Sequence, residues 1–345
     1  MRIDGTGGPP IEKATVVVDG DRISAVGSAG AVTMPDGAEV IDASGMHLLP
    51  GLIDAHVHIT NSFTNEPDRD ADTGVVGAST AEVLLLSGFT TVRSLGSRNF
   101  QDVLLREAID AGEVPGPRVI ASSQGLTDGL HAAVDGDRVA AGDDPANEQD
   151  IRAFVRERIE GRVDWLKIFA SRSSRAGGTP TYSLEQLEWA IDEADRAGVS
   201  TSAHAHAAEA ARRAIEAGAR TIEHGALLDE SVLELMIERG TYYMPNLYLS
   251  EYYLENGDRF GYTAEQVTNL PRFDIDEMIA YYDVVREDTL QYLKSISAKD
   301  LETCPQPDQR PGYSIGKMFS HVIVEESQHV GQVAYLRGLQ RGLNK

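Results

Sequence analysis

The stretch Leu48-Leu-Pro-Gly-Leu-Ile-Asp-Ala-His-Val-His-Ile-Thr60 decides how the rest of this 345-residue chain is read. An apolar run opens at Pro50-Gly51 and closes on His56-Val57-His58. It reads as a buried strand. Side chains alternate along a strand, so His56 and His58 point the same way. Two imidazoles side by side at one strand end make half of a metal site, because neutral histidine is a common zinc ligand. Alone, an H-x-H pair is more often two ordinary histidines. Its meaning depends on the other strand ends of the chain.

Downstream, strand-like and helix-like runs alternate. The predicted strands are 48–59, 88–93, 117–122, 163–169, 199–204, 219–224 and 240–246. Helical patterns lie between them, at 79–86, 100–111, 148–159, 183–197, 207–217 and 229–238. Such alternation implies a parallel sheet, and this many units imply a (β/α) barrel, whose chemistry sits at the C-terminal strand ends. Of nine histidines, His56, His58, His204 and His224 fall at predicted strand C-termini, with His206 just past one. Lys167 stands in an apolar strand, Trp165-Leu-Lys-Ile-Phe169. A buried lysine is costly unless paired or neutral. A neutral buried amine can add carbon dioxide to give a carbamate, an anionic ligand with two oxygens; the competing reading is a barrel-wall lysine paired with an acid.

Before the barrel, residues 1–47 read as a small β sheet, with a hairpin signal at Asp19-Gly20. The net charge of -23 argues against a nucleic-acid or anionic-membrane surface, since both need a positive footprint. No apolar run approaches the ~20 residues of a membrane span. A single cysteine, Cys304, excludes an internal disulfide framework. No signal peptide is visible, and the expected location is cytoplasmic.

The motifs Leu49-Pro-Gly-Leu-Ile-Asp-Ala-His-Val-His58, Gly88-Phe-Thr-Thr-Val-Arg93, Asp164-Trp-Leu-Lys167, Ser202-Ala-His-Ala-His206 and Ile222-Glu-His-Gly225 together resemble the amidohydrolase superfamily. Its imidazolonepropionase-like and prolidase-like members are the nearest in pattern. The resemblance implies a TIM-type (β/α)8 barrel over residues 48–268 and two divalent metal ions, with zinc as first candidate. His56 and His58 would hold one metal, His204 and His224 the other, and a carboxylated Lys167 would bridge them. His206 is the lesser ligand of its pair and is expected to face substrate. His131, in Leu126-Thr-Asp-Gly-Leu-His131, is expected to contact substrate. Tyr242, Tyr243 and Tyr248 are candidate pocket residues. The implied reaction is hydrolysis of a small-molecule amide or dipeptide by a water activated between the metals.

The sequence departs from that pattern after residue 247. No Gly-Thr-Asp motif marks an eighth strand, so the barrel reads as incomplete, with seven strands of eight. Residues 273–345 read instead as helical and resemble the C-terminal half of a DinB-like four-helix bundle, through Arg310-Pro-Gly-Tyr-Ser-Ile-Gly-Lys-Met-Phe-Ser-His321 and Glu325-Glu-Ser-Gln-His-Val-Gly-Gln332. His321, Glu325 and His329 share a helix face, and Glu325 with His329 matches a DinB-like ligand pair. An exposed apolar face on half a bundle predicts pairing with the barrel edge or a homodimer through the C-terminal helices. Three functions are compatible with these features: a metal-dependent amide hydrolase, a catalytically impaired metal-binding fusion, or a DinB-like metal-dependent transferase acting through the tail.

Overall fold

The computed structural model describes residues 11–60, 73–127 and 147–245. His131, Tyr248 and the helical segment with Glu325 and His329 lie outside the described residues. The described part is an α/β fold. A hairpin of β1 (Ala14–Asp19) and β2 (Arg22–Ser28) comes first, antiparallel, with Asp19 opposite Arg22 and Gly20 in the left-handed region at φ 60°. The barrel strands come next: β3 (Leu52–Val57), β4 (Phe89–Ser94), β5 (Arg118–Ala121), β6 (Trp165–Phe169), β7 (Ser200–Ala207), β8 (Thr221–Leu227) and β9 (Tyr242–Met244). Between them run α1 (Thr73–Leu86), α2 (Gln101–Asp110), α3 (Glu148–Glu160), α4 (Leu184–Arg196), α5 (Ala208–Glu216) and α6 (Glu230–Arg239).

Strand order follows chain order, β3-β4-β5 in one sheet and β6-β7-β8-β9 in another. A parallel bridge joins Leu126, in the segment after β5, to Ile168 of β6: Leu126 N–H donates to the Lys167 carbonyl, and Phe169 N–H donates to the Leu126 carbonyl. Sequential parallel neighbours joined by helices are the arrangement of a TIM-type barrel, here in part. The chain separates into two compact units, one of Met1–Asp54, Gly88–Thr90 and Leu301–Lys345, the other of Ala55–Ser87 and Thr91–Asp300. The site residues all belong to the second.

Local sequence explains the elements. Ser183 caps α4 by accepting from Gln186 N–H, and the Gln186 side chain accepts from Ser183 N–H, a reciprocal capping box. Leu187, Ala190, Ile191 and Ala194 then form one buried helix face. Asn147 and Asp229 cap α3 and α6, and Gly240 ends α6 at φ 65°. The core joins Leu166, Ile168, Ala203, Ala205 and Ile222 of the strands to Ile151, Leu187, Ala211 and Ile215 of the helices. Burying these residues on the helix-facing side sends their odd-even neighbours, Lys167, Ser202, His204 and Glu223, to the barrel interior. No helix among the described residues is long and apolar enough to cross a membrane.

Candidate metal centre

Three strands bring five imidazoles together. β3 supplies His56, with His58 just past its end; β7 supplies His204 and His206, and β8 supplies His224. Ring centroids lie 5.5 Å apart for His56–His58, 4.8 Å for His56–His224 and 4.5 Å for His204–His224. His206 joins the group, edge-on to His204 at 4.7 Å and stacked on His224 at 5.0 Å. It lies within β7 rather than beyond it, because the strand runs on to Ala207, so alternation gives it the same side as His204. Lys167 of β6 is 1% exposed, and its charge acts on His56, His58, His204 and His224 alike.

β8 needs a device to contribute. Glu223 and His224 are adjacent, so on a regular strand they would face opposite ways, yet Glu223 touches His56 and the His224 ring meets His56 and His204. His224 sits in the left-handed region at φ 69°, followed by Gly225 at φ 54°. The pairing with β7 shifts register here, with Ala205 opposite His224 and Ala207 opposite Leu227. This is a bulge that re-aims a side chain. Tyr243 of β9 braces it: its hydroxyl donates toward the carbonyl oxygens of His224 and Gly225, 3.1 Å from each. A Cβ at position 225 would collide with the Tyr243 ring. The Tyr243 hydroxyl is thus bound to backbone, and Tyr242 lies under the Arg220 guanidinium, 4.6 Å from its ring centre.

Glu223, 0% exposed, is the hub of the polar interior. One carboxylate oxygen lies 2.6 Å from His56 Nδ1. The other accepts from Arg93 at 3.0 Å, Ser202 at 2.8 Å and Thr221 at 2.6 Å. Arg93 also donates to the Ala55 carbonyl at 2.7 Å and lies 4.5 Å from the centre of the Trp165 ring. His58 Nδ1 is 3.2 Å from the Gly96 carbonyl oxygen. Two glycines make room: a Cβ at Gly96 would stand 2.5 Å from His58 Nδ1, and one at Gly125 would stand 2.9 Å from Lys167 Cγ.

Electrostatics follow from this burial. Desolvation, then the Lys167 charge, pushes His56 down to about 4 despite the Glu223 carboxylate. Burial, then His56, takes His58 to about 4. Burial, then Lys167, takes His204 to about 2, and burial with its histidine neighbours holds His224 well below the ordinary value. His56, His58, His204 and His224 are therefore held in the neutral form at pH 7, the form that ligates a metal. Burial lowers Lys167 to about 8, against the pull of Glu223. Burial alone would raise the Glu223 carboxyl, but Arg93 and His56 reverse this and hold it well below the usual carboxylate range.

As they stand, no three His, Cys, Asp or Glu side chains among the described residues are arranged so that they could hold a metal ion. The donors nonetheless fit a divalent cation in kind. A backbone carbonyl can only accept, so His58 carries its proton on Nδ1, and the nitrogen able to ligate is Nε2; an ionised Glu223 imposes the same on His56. Each sequence-predicted ligand, His56, His58, Lys167, His204 and His224, is in this cluster. Sequence reasoning missed Glu223, Arg93 and Ser202. The available signal was a charged residue inside each of two apolar strands, Thr91-Val-Arg93 and Thr221-Ile-Glu223.

The amidohydrolase family profile matches residues 47–284, and the mycothiol-S-transferase profile matches residues 251–342. Ochratoxinase of Aspergillus niger is 26% identical over 321 residues, an alignment that takes in 81% of this chain and 64% of that one. The chain therefore spans less than two thirds of that relative's length. A prolidase complexed with N-methylphosphonate-L-proline superposes with a TM-score of 0.65 at 31% identity, over 78% of this chain and 70% of the prolidase. A Xaa-Pro dipeptidase with bound methionine gives a TM-score of 0.62 at 28% identity, over 77% of this chain and 70% of its own.

Proposed function

Because this chain belongs to the amidohydrolase family, we propose that its histidine cluster holds two divalent cations, zinc the first candidate, and hydrolyses the C–N bond of a small amide such as a dipeptide or an N-acyl amino acid. The observation that carries this reading is the convergence of His56, His58, His204 and His224 around the buried amine of Lys167. In it, His56 and His58 hold one cation, and His204 and His224 the other. Lys167 bridges them as a carbamate, formed when its neutral amine adds carbon dioxide and releases a proton. When bound, such cations supply Lewis acidity that makes water nucleophilic near neutral pH and polarises the scissile carbonyl. The chain's own part is to hold the imidazoles neutral and oriented and to keep the lysine dry. A substrate contact by His131 belongs to the same proposal. The amide substrate is supported by the prolidase and ochratoxinase likeness, and the prolidase carries a proline-containing phosphonate.

The mycothiol-S-transferase match over residues 251–342 favours a second, separate activity in the tail, a thiol or metal-dependent transfer, with Glu325 and His329 as candidate ligands and the C-terminal helices as a candidate homodimer surface. Zinc counting and a panel of dipeptides and N-acyl amino acids test both. The hydrolase reading expects about two zinc ions per chain and turnover abolished by His56→Ala. A chain whose only zinc is lost on Glu325→Ala and kept on His56→Ala sinks the hydrolase reading and leaves the transferase.

A further inference from the structure

We infer that Glu223 is a positioning residue, whose carboxylate fixes the tautomer and the ring plane of His56 so that Nε2 is the nitrogen offered to a cation. The inference rests on the metal-centre reading and goes one layer outward from it.

Donors and acceptors decide the assignment. Glu223 has two carboxylate oxygens and no competing solvent, since it is 0% exposed. Oε1 is saturated by donors that have no other option in those contacts: the Arg93 guanidinium at 3.0 Å and the hydroxyls of Ser202 at 2.8 Å and Thr221 at 2.6 Å. Guanidinium groups donate only. Three donors on one oxygen fix the carboxylate in plane and in rotamer, leaving Oε2 aimed at His56 Nδ1, 2.6 Å away. An ionised carboxylate can only accept, so the proton in that contact is on Nδ1. The His56 lone pair is then on Nε2.

The strand geometry shows why this takes a dedicated residue. β3 places His56, but a χ2 rotation of an imidazole is broad and roughly two-fold, so the strand alone leaves the ring free to flip. His58 solves the same problem with a backbone carbonyl, that of Gly96 at 3.2 Å. For His56 the partner on Nδ1 is a carboxylate from β8, 167 residues further along the chain. Arg93 ties that carboxylate back to β3 through the Ala55 carbonyl, next to His56 itself. The result is a closed loop, His56 to Glu223 to Arg93 to Ala55, in which moving either strand moves the ring.

The test uses the full-length chain. Nitrogen-15 labelling of histidine in metal-free protein, with His56→Ala to assign the signal, reads which nitrogen of His56 is protonated. Zinc affinity is measured by competition with a chromophoric chelator. The expected result is a single Nδ1–H tautomer in the parent chain. Glu223→Gln, by far-ultraviolet circular dichroism still folded, should show mixed tautomers and an affinity lower by about 10- to 100-fold, the usual cost of losing a carboxylate behind a ligating histidine. Glu223→Asp, which keeps the charge but shortens the arm, should recover part of it. An Nε2–H tautomer in the parent chain overturns the inference, and needs no variant to fold. So does an unchanged zinc affinity in folded Glu223→Gln. A parent chain that binds no zinc at all but shows the Nδ1–H tautomer instead overturns the metal-centre reading.

Discussion

Replacing Gly96 with alanine separates the placement of His58 from the stability of the fold. The added methyl would lie 2.5 Å from His58 Nδ1 and 2.6 Å from Cε1. Non-bonded heavy atoms settle near ~3.5 Å, so the ring must retreat by about 1 Å. Gly96 is not in the left-handed region, so alanine introduces no backbone strain there. The hydrogen bond from Nδ1 to the Gly96 carbonyl is lost or bent, at a net cost of about 0.5–1.5 kcal/mol. A ligand atom, by contrast, must sit within about 0.2 Å of its ideal distance. A 1 Å displacement therefore costs far more in metal binding than in folding. We expect Gly96→Ala to weaken zinc by at least about 10- to 100-fold, roughly 1.4–2.7 kcal/mol, with a melt of the metal-free protein within about 1–1.5 kcal/mol of the parent. Chelator competition and thermal circular dichroism measure the two. A folded Gly96→Ala chain that binds two zinc ions with parental affinity would refute the reasoning, because His58 could not then be a ligand. His58→Ala, which creates no clash, gives the reference loss.

Other substitutions probe neighbouring parts of the same interior. Lys167→Met replaces a nearly fully buried amine with an apolar side chain of similar length; the melt should be unchanged or raised, while the zinc count falls below two. Undiminished zinc in that variant would remove Lys167 from the ligand set. Asp102 accepts from Ser122 and Ser123 N–H with one oxygen and from Val103 N–H with the other, and burial raises its pKa. Asp102→Asn turns an amide donor toward one of these N–H groups, so urea unfolding should show a loss of about 1–3 kcal/mol; parental stability would mean that the carboxylate is not needed to satisfy these backbone groups. Tyr243→Phe removes the hydroxyl that grips the His224 and Gly225 carbonyls. It should lower stability by about 1 kcal/mol and weaken zinc, and a parental zinc affinity would mean that the bulge holds His224 without it.

Much of this interior was legible in the chain, for a physical reason. Side-chain alternation is a local rule, so His56 with His58, and His204 with His206, declare a shared side from spacing alone. Apolar flanks mark Lys167 as interior. The strands appear within a few residues of where hydropathy puts them; β7 and β8 run past their predicted ends at residues 204 and 224 to Ala207 and Leu227, because strand pairing continues through polar residues that hydropathy reads as a stop. What alternation hides is any pair that breaks it. Glu223 and His224 are neighbours, and the rule assigns them to opposite faces. Nothing local says that both face inward except Gly225, whose meaning depends on a tyrosine 18 residues later. Arg93 was hidden for a related reason: its partner is 130 residues away, and a long-range ion pair leaves no periodic mark.

Each of the four residues Ile222-Glu-His-Gly225 therefore has a separate task. Ile222 packs outward into the core, Glu223 turns inward to hold His56, His224 joins the imidazoles, and Gly225 allows the turn that makes the last two compatible. A non-glycine residue held at positive φ costs on the order of 1–3 kcal/mol. The hydroxyl of Tyr243 offsets part of that, by about 0.5–1.5 kcal/mol, and its ring closes the space beside Gly225. The remainder is carried by the packing of Ile222 and by the bonds of Glu223, which anchor the strand on either side of its inward face. Strain at His224 is thus held by three residues, Ile222 and Glu223 in the same strand and Tyr243 in β9. A strand with the same composition but no bulge could place a carboxylate or an imidazole in this interior, but not both from adjacent positions.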